Sequence, residues 1–253
     1  MPAGLSWPEH CEAAAPGVQA YYKVLPASSR TSPYVLIIPA ISNEVSYCLH
    51  IPVGKMQRRR RHVVKPYQKI EEQLRLRPPG WWQWAVEQIP ELASLTQTPQ
   101  PPVFHPEGDA AVHTQLAVEA CLTIDDPDLV WAALLHDIGK AGTTRSNAGR
   151  IISHGHDIVG AEMAERILQR LRMPVDRRTR IVWAIRHHAF HLSWQLKTPG
   201  QASKRQKKMV ADERFALLLE LLRVDSEASP GKPRGMKAYA LYKELRRRVA
   251  GGE

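Results

Sequence analysis

Apolar residues recur with the period of an α-helix from about residue 70 onward. Proline, glycine and short polar stretches interrupt the pattern at intervals typical of helix ends. The pattern predicts two short helices at Trp81–Ile89 and Glu91–Leu95, a proline-rich linker at Thr96–Pro102, and further helices near 111–123, 128–138, 157–172, 177–189, 212–226 and 235–249. No strand is expected after residue 70, so this part is predicted to be an all-α bundle.

Individual glycines and prolines set finer expectations. Gly139 stands where a glycine commonly follows a helix end, and Pro174 closes the helix before it. Residues 193–211 contain Pro199, Gly200 and a basic cluster, so a long mobile loop is expected there.

The amino-terminal part has no clear period. Short apolar stretches at Tyr34–Ile38 and Val45–Val53 could be strands between polar turns. The chain is therefore divided into a segment of unknown structure at 1–70, partly β or disordered, a main domain at 88–232, and a basic carboxyl-terminal helix at 233–253.

Composition indicates a water-soluble domain in a reducing compartment. The chain has 253 residues, of which 43% are hydrophobic, enough to bury a sizeable core. No apolar run approaches the roughly 18 residues that a membrane span needs, and the first residues lack the basic region of a secretory signal. Cys11, Cys48 and Cys121 are far apart, which indicates neither a disulfide framework nor a zinc cluster. We expect a cytoplasmic protein with no membrane partner.

The formal net charge is +10, and much of it lies in three runs. These are Arg58–Arg61, the cluster Lys204-Arg205-Gln206-Lys207-Lys208, and Arg246–Arg248. Such runs attract polyanions through counterion release, which favours RNA as a partner. The alternative is that they are solvated tails and loops, as most charge runs are.

Candidate chemistry begins at the end of the helix predicted near 128–138. This helix is apolar around its whole circumference, which is typical of a buried helix, and it ends in His136-Asp137. Buried ionisable groups need partners or a metal ion. Taken alone, the dipeptide is better explained by hydrogen bonds of its side chains to each other and to the backbone.

Three other predicted helices strengthen the metal interpretation, because each places a possible ligand on its apolar face. His113 is in step with Leu116 and Ala120, His188 with Ile181 and Ala184, and Asp225 with Leu218 and Leu222. Imidazole and carboxylate ligands together suit Mn, Fe, Co, Ni or Zn, with Mg included for a carboxylate-rich site. Because a carboxylate can bridge two ions, Asp137 is predicted to be such a bridge.

A second group, His156, His187 and His188, could hold another ion. The sequence therefore leaves open whether the site holds one ion or two. Adjacent residues point about 100° apart on a helix, which makes joint use of His187 and His188 difficult. His191 competes with His187, since both lie on the same face. His156-Asp157 is an alternative central pair. Its glycine-flanked setting indicates a loop entering a helix, with Asp157 favoured there by the helix dipole.

The order of these residues resembles that of the HD superfamily of metal-dependent phosphohydrolases. His113, His136-Asp137, His156, His187-His188 and Asp225 follow its pattern H…HD…H…HH…D. The segments PELASL, FHPEGDAAVHT, LLHDIGK, HGHDIVGAEMAERILQRLRMP and RVDSEASPG are similar to the HD domain of bacterial CCA-adding enzymes. The resemblance covers about residues 88–232 and implies an HD-domain helical bundle that hydrolyses phosphomonoesters or cyclic phosphodiesters on nucleotides or RNA ends.

The sequence also departs from that family. Residues 1–87 contain neither the glycine–serine loop nor the paired aspartates of the nucleotidyltransferase domain, so nucleotide addition is not expected. No GYP tripeptide follows His187-His188, which disfavours cyclic-di-GMP hydrolysis.

In the expected mechanism, the metal held around Asp137 activates water and polarises the phosphate. Lys140 is assigned to the charge that develops on the phosphate, although an ordinary cation at a helix C-terminus explains it equally well. Thr144 and Arg145 could extend the phosphate pocket. The competing function is an RNA-binding accessory protein in which the bundle is a scaffold and Trp81, Trp82 and Trp84 stack on bases. Packing inside the bundle is the simpler explanation of these tryptophans.

Overall fold

The computed structural model describes residues 21–23, 36–38, 64–148, 150–229 and 233–252. Contacts divide the chain into two units, Met1–Val63 and Val64–Glu253. In the first unit, β1 (Tyr21–Lys23) pairs antiparallel with β2 (Leu36–Ile38). The strand expected at Tyr34–Ile38 is therefore present over its last three residues, whereas Val45–Val53 lies outside the described residues.

The second unit is built mainly from α-helices. They are α1 (Pro66–Leu76), α2 (Trp81–Gln88), α3 (Ala110–Ala120), α4 (Pro127–Leu135), α5 (Lys140–Thr143), α6 (His156–Arg170), α7 (Val175–His187), α8 (Phe190–Ser193), α9 (Lys204–Val210), α10 (Phe215–Glu227) and α11 (Pro233–Ala250). Short 3₁₀ helices occupy Pro90–Leu95, Cys121–Thr123 and Pro199–Gln201. The predicted all-α bundle is confirmed. Among the described residues, no helix combines the length and apolar character needed to cross a membrane.

A short hairpin corrects the expectation of no strand after residue 70. Strand β3 (Arg145–Asn147) pairs antiparallel with β4 (Arg150–Ile152), so that Arg145 lies opposite Ile152. Strands of three residues are too short to show a period of two, so the hydrophobic pattern cannot reveal them.

The mobile loop expected at 193–211 is also wrong, because α9 occupies much of it. Ser203 caps this helix, since its hydroxyl accepts from the backbone N–H of Gln206 at 3.2 Å. The Gln206 side chain reaches back to the backbone N–H of Ser203 at 2.8 Å. This capping box, together with burial of Met209 and Val210, offsets the repulsion among the basic residues of a seven-residue helix.

The core forms around α4, whose residues Asp128–Leu135 are all buried. Helices α1, α3, α7 and α10 each contact it. A nine-residue helix that is apolar on every side can be stable only when other helices cover all of its faces. The bundle is therefore closed around the element whose end carries His136 and Asp137.

The tryptophans of α2 belong to this core. Trp81 is 9% exposed and Trp82 is 7% exposed, and their rings meet edge to face at 5.8 Å between centroids. Trp84 is partly buried and packs against the core. Side chains packed in this way present no open platform for stacked bases, which agrees with the packing interpretation.

Gly139 has a role different from the one expected. Its φ of −76° is an ordinary helical value, so it is not a left-handed residue after a helix end. Instead, a Cβ atom at this position would lie 2.3 Å from the carbonyl oxygen of His156 and 2.6 Å from the backbone nitrogen of Gly160. Glycine is required because the start of α6 touches the backbone directly after Asp137.

Charged side chains fasten α1, α4 and α7 together on the outside of the core. Asp128 is buried and accepts from Arg177 at 2.6 Å and from Arg180 at 2.7 Å. Arg177 also donates to Glu71 of α1 at 2.8 Å, and that carboxylate accepts from the indole N–H of Trp131 at 3.1 Å. One buried aspartate therefore satisfies two arginines that join three helices.

We expect Asp128→Asn to lower the free energy of unfolding by about 2 kcal/mol, because charge-assisted hydrogen bonds to two partly exposed arginines are weakened. For a unit of this size, the loss corresponds to roughly 4–8 °C in Tm. Thermal unfolding followed by circular dichroism measures it. The matched control is Asp125→Asn, an exposed aspartate in the loop just before α4. Equal Tm values for the two variants would show that the arginine network does not fasten the helices.

Candidate metal centre

The site is organised around the carboxylate of Asp137, whose side chain is only 2% exposed. Asp137 follows α4 and lies in the turn that leads into α5. From this turn, His136 contacts His113 of α3, and Asp137 lies near His156 of α6 and His188 at the end of α7. Each oxygen of the carboxylate faces a different group of side chains.

The first group surrounds Asp137 Oδ2. The Nε2 atom of His136 lies 3.2 Å from this oxygen and 3.3 Å from Nε2 of His113 on α3. His113 Nε2 is in turn 3.0 Å from Oδ1 of Asp225 on α10. One ligand atom each from His113, His136 and Asp225 therefore falls within a 4.8 Å group that could hold a metal ion.

The second group surrounds Asp137 Oδ1. His156, at the start of α6, places Nε2 at 3.6 Å from this oxygen, and His188, at the end of α7, places Nε2 at 3.7 Å. The two Nε2 atoms are 3.0 Å apart. These three residues form another group of suitable size, so the carboxylate lies between two sets of ligand atoms.

The hydrogen bonds of the outer ring nitrogens fix the orientation of all four imidazoles. Nδ1 of His136 donates to the carbonyl of Ala133 at 2.8 Å, and Nδ1 of His188 donates to that of Ile185 at 2.7 Å. Nδ1 of His156 donates to the carbonyl of Ser153 at 2.6 Å. Because the Nδ1 atom of each ring is bound to an oxygen acceptor on the far side, its Nε2 atom is turned toward Asp137.

A metal ion fits this arrangement on physical grounds. Lone pairs of several imidazoles and the charge of a buried carboxylate repel one another when they converge without a cation. Neutral imidazole nitrogen and carboxylate oxygen are also the donor types that bind divalent transition metals. The residues present therefore match a divalent ion near each oxygen of Asp137.

His113 differs from the other rings because its outer nitrogen donates to a carboxylate. Its Nδ1 lies 3.0 Å from Glu107 Oε1, which also accepts from Nδ1 of His105 at 2.7 Å. The Ser229 hydroxyl is 3.3 Å from the same nitrogen of His113. Although His105, Glu107 and His113 have ligand atoms close enough for an ion, the direct hydrogen bonds occupy the space where an ion would lie. This group orients His113 instead.

Sequence analysis missed Glu107 and His105 as site residues. Both lie in the loop before α3, where no helical face indicates which way a side chain points. The available signal was the segment FHPEGDAAVHT. In it, His113, which lies on the apolar face of its helix, follows Glu107 by six residues.

The electrostatics reflect the crowding of charge in the bundle. Burial disfavours protonation of His113, but Asp225 and Glu107 outweigh it and raise its pKa to about 8. Burial acts in the same direction as the neighbouring His156 and His136 on His188, and lowers its pKa to about 3. Although burial opposes ionisation, His136 and Lys140 hold the pKa of Asp137 well below its usual value. A proton on His113 therefore neutralises part of the negative charge of the surrounding carboxylates.

Lys140 is close to the centre, as expected, but it makes specific contacts. Its Nζ lies 2.6 Å from Asp137 Oδ2 and donates to Gln100 Oε1 at 2.6 Å. The lysine is therefore held at the edge of the cleft by a carboxylate and an amide rather than by the end of a helix. Gln100, in the predicted linker, is a further residue that the sequence did not indicate.

His187 is the predicted ligand that the structure does not bring to the centre. Its Nδ1 donates to the carbonyl of Trp183 at 2.8 Å, and its ring lies 4.6 Å from the Trp183 ring. Thr144 and Arg145 also serve other contacts, since Thr144 bonds Ser153 at 2.7 Å and Arg145 donates to the carbonyl of Thr144 at 2.8 Å.

A cleft of about 500 Å³ opens over the second group of ligands. Asp137, Lys140, His156, His188 and Asp225 line its floor, and Arg234 of α11 lies on its wall. Small-molecule sites typically have volumes of roughly 300–1,000 Å³. The two groups of ligand atoms can therefore be reached by a small molecule.

Comparisons with known proteins agree with this geometry. Residues 111–222 match the HD domain family, a range that contains every histidine of the centre and ends three residues before Asp225. The multifunctional CCA protein of Aromatoleum aromaticum is 34% identical over 149 residues, which are 56% of this chain and 36% of that protein. The one from Ralstonia nicotianae is 39% identical over 104 residues, which are 41% of this chain and 24% of that protein.

The chain thus spans about a third or less of the length of these relatives. The similarity concerns the helical region and does not extend to the rest of those proteins. The comparisons therefore show that residues 111–222 match the HD domain family, and that part of this chain is similar to part of multifunctional CCA proteins.

Proposed function

We propose that the protein is a divalent-metal-dependent phosphohydrolase that acts on nucleotides or RNA ends, as a phosphomonoesterase or a 2′,3′-cyclic phosphodiesterase. The observation that carries this proposal is the single orientation of the four imidazoles, whose Nε2 atoms all face Asp137. The first ion would be held by His113, His136, Asp137 and Asp225. A second would be held by His156, His188 and the other oxygen of Asp137.

The residues of the cleft suit a phosphate ester. When bound, a divalent ion supplies Lewis acidity toward phosphoryl oxygens and lowers the pKa of a coordinated water. Lys140 and Arg234, two cations from different helices, both line the cleft, and Lys140 lies at the metal centre, where it could neutralise charge on a phosphate. Carboxylate Oδ2 of Asp137 keeps Lys140 in place before substrate arrives.

The adjacent histidines of α7 provide a matched test of the two-ion arrangement. We expect purified wild type to bind two Mn²⁺ ions per chain, and His188→Ala to bind one. His187→Ala should keep both ions and its activity, because His187 contacts Trp183 instead of the centre. Asp137→Ala should lose both ions, and with them about a thousandfold in hydrolysis, which corresponds to several kcal/mol of transition-state stabilisation.

Metal titration by calorimetry and turnover of generic phosphomonoesters and 2′,3′-cyclic nucleotides measure these effects. A wild type that binds a single ion even in excess Mn²⁺ would rule out the two-ion version. Undiminished turnover by metal-loaded Asp137→Ala would disprove the assignment of the centre.

The raised pKa of His113 predicts how metal binding depends on pH. Below a pKa of about 8 the ring is protonated, so an ion must displace this proton, and the apparent affinity of the first site should fall about tenfold per pH unit. Above that pKa the ring is neutral, and the affinity should level off. Mn²⁺ titrations between pH 6 and pH 9 locate the bend.

Glu107→Gln separates the two effects of Glu107 on His113. Losing the negative charge lowers the pKa of His113, so the bend should move to lower pH. Losing the orienting carboxylate should also weaken metal binding about 10–100-fold on the plateau. The control is Glu119→Gln, an exposed glutamate of α3. A plateau affinity equal to wild type would show that Glu107 does not orient the ligand.

RNA is proposed as the larger substrate because α9 presents an ordered basic surface. Lys204, Arg205, Lys207 and Lys208 are exposed on this helix, while Gln206 of its buried face donates to the Tyr242 hydroxyl of α11 at 3.1 Å. The Arg205 guanidinium lies 4.4 Å from the centre of the Trp194 ring. The arginine run at residues 58–61 lies outside the described residues, and Arg247 and Arg248 bond Glu244.

We expect replacement of Lys204, Lys207 and Lys208 by glutamine to weaken the binding of single-stranded RNA. The slope of log K against the logarithm of the salt concentration should become shallower by about 2. Hydrolysis of a small aryl phosphate should stay unchanged, because these side chains lie outside the cleft. The matched control replaces three exposed cations of α1 and its cap, Lys65, Lys69 and Arg75, in the same way. Equal loss of RNA affinity in both variants would indicate a general charge effect and no surface on α9.

A further inference from the structure

The mouth of the cleft carries apolar side chains that the metal centre does not use. Phe104 is 49% exposed, Ile152 is 38% exposed and Leu192 is 64% exposed, and all three line the cleft. They come from separate segments, namely the turn before α3, strand β4 and helix α8. We call these three residues the apolar rim. Large apolar groups left in water around one opening commonly mark a binding surface.

Phe104 is held in a fixed relation to the centre. The backbone N–H groups of Phe104 and His105 both donate to the carbonyl of Pro101 at 2.9 Å, which closes a tight turn. The next side chain in that turn, His105, donates to Glu107, the carboxylate that also accepts from His113. The ring of Phe104 is therefore attached to the same loop that orients a metal ligand.

The composition of the cleft changes from its floor to its mouth. The floor carries Lys140, Asp137 and the histidines near Asp137, which suit a phosphate and its metal ions. The mouth carries the apolar rim. The polar residues Ser153 and His154, on the segment after β4, also line the cleft. A group bound at the mouth would therefore need apolar faces and polar edges. A nucleobase has both, and aromatic side chains bind bases by stacking with little regard to sequence.

We propose that the apolar rim is a subsite for the base of the nucleotide whose phosphate lies at the metal centre, with Phe104 as the stacking residue and Leu192 and Ile152 beside it. This inference rests on the proposed function and adds its specificity: the enzyme prefers phosphates attached to a nucleoside.

Two substrates that differ only in the base test this subsite. Adenosine 5′-monophosphate and ribose 5-phosphate are compared with the Mn²⁺-loaded protein. We expect Phe104→Ala to raise KM for the nucleotide about tenfold and to leave KM for ribose 5-phosphate within about twofold, with kcat little changed for both. Phe104→Tyr keeps the ring and should keep the preference. Leu192→Ala should show a smaller effect in the same direction.

Val103→Ala is the matched control, because Val103 is 79% exposed in the same turn but does not line the cleft. It should change neither KM. If Phe104→Ala raised KM equally for both substrates, or for neither, the base subsite would be overturned. Thermal melts of each variant exclude a difference in folding.

Binding separates a failure of this inference from a failure of the proposed function. If wild type hydrolyses neither compound, the proposed phosphatase activity is wrong for this substrate class. Calorimetric affinities of the Mn²⁺-loaded protein for adenosine monophosphate and ribose 5-phosphate then test the rim directly. Equal affinities of wild type for the two compounds would refute the subsite, and a preference for the nucleotide that Phe104→Ala removes would support it.

Discussion

An ionised carboxylate inside an apolar bundle costs several kcal/mol unless cations neutralise it, and the structure around Asp137 answers this constraint. The side chain is 2% exposed, so water cannot supply the compensation. Four imidazoles and one ammonium group converge on it, and the Asp225 carboxylate contacts one of these imidazoles, that of His113. Lys140 and the raised pKa of His113 supply positive charge in the protein itself. The lone pairs of the imidazole and carboxylate groups that these cations leave unpaired could bind a divalent ion.

The same constraint explains local features that would otherwise be unrelated. Gly139 allows the start of α6 to touch the backbone after Asp137, which brings His156 within 3.6 Å of the carboxylate. Gly235 has a similar role in α11, where an added Cβ would lie 2.0 Å from the Ser226 hydroxyl, beside Asp225. Both glycines permit close approach of helices at positions next to a proposed ligand. Backbone contact of this kind fixes ligand positions more firmly than side-chain packing alone.

Hydrophobic periodicity predicted the bundle well because long helices bury one face and repeat it over several turns. His113, His188 and Asp225 could be assigned to the interior for the same reason. The hairpin at 145–152 and the helix α9 were missed, since short elements depend on tertiary contacts and capping more than on period. Glu107 and Gln100 were missed because a loop side chain has no face that the sequence reveals. The exclusion of His187 needed the actual end of α7, where only His188 turns toward Asp137.

Two kinds of electrostatics are separated in this protein. The charges at the centre are buried and lie within about 4 Å of one another, so dissolved salt screens them little. The lysines of α9 are exposed, and their effect on a polyanion falls off over a Debye length of about 8 Å at physiological ionic strength. Under the proposed function, attraction of RNA by α9 would therefore depend strongly on salt, whereas metal binding at the centre would depend on pH and metal supply and much less on salt.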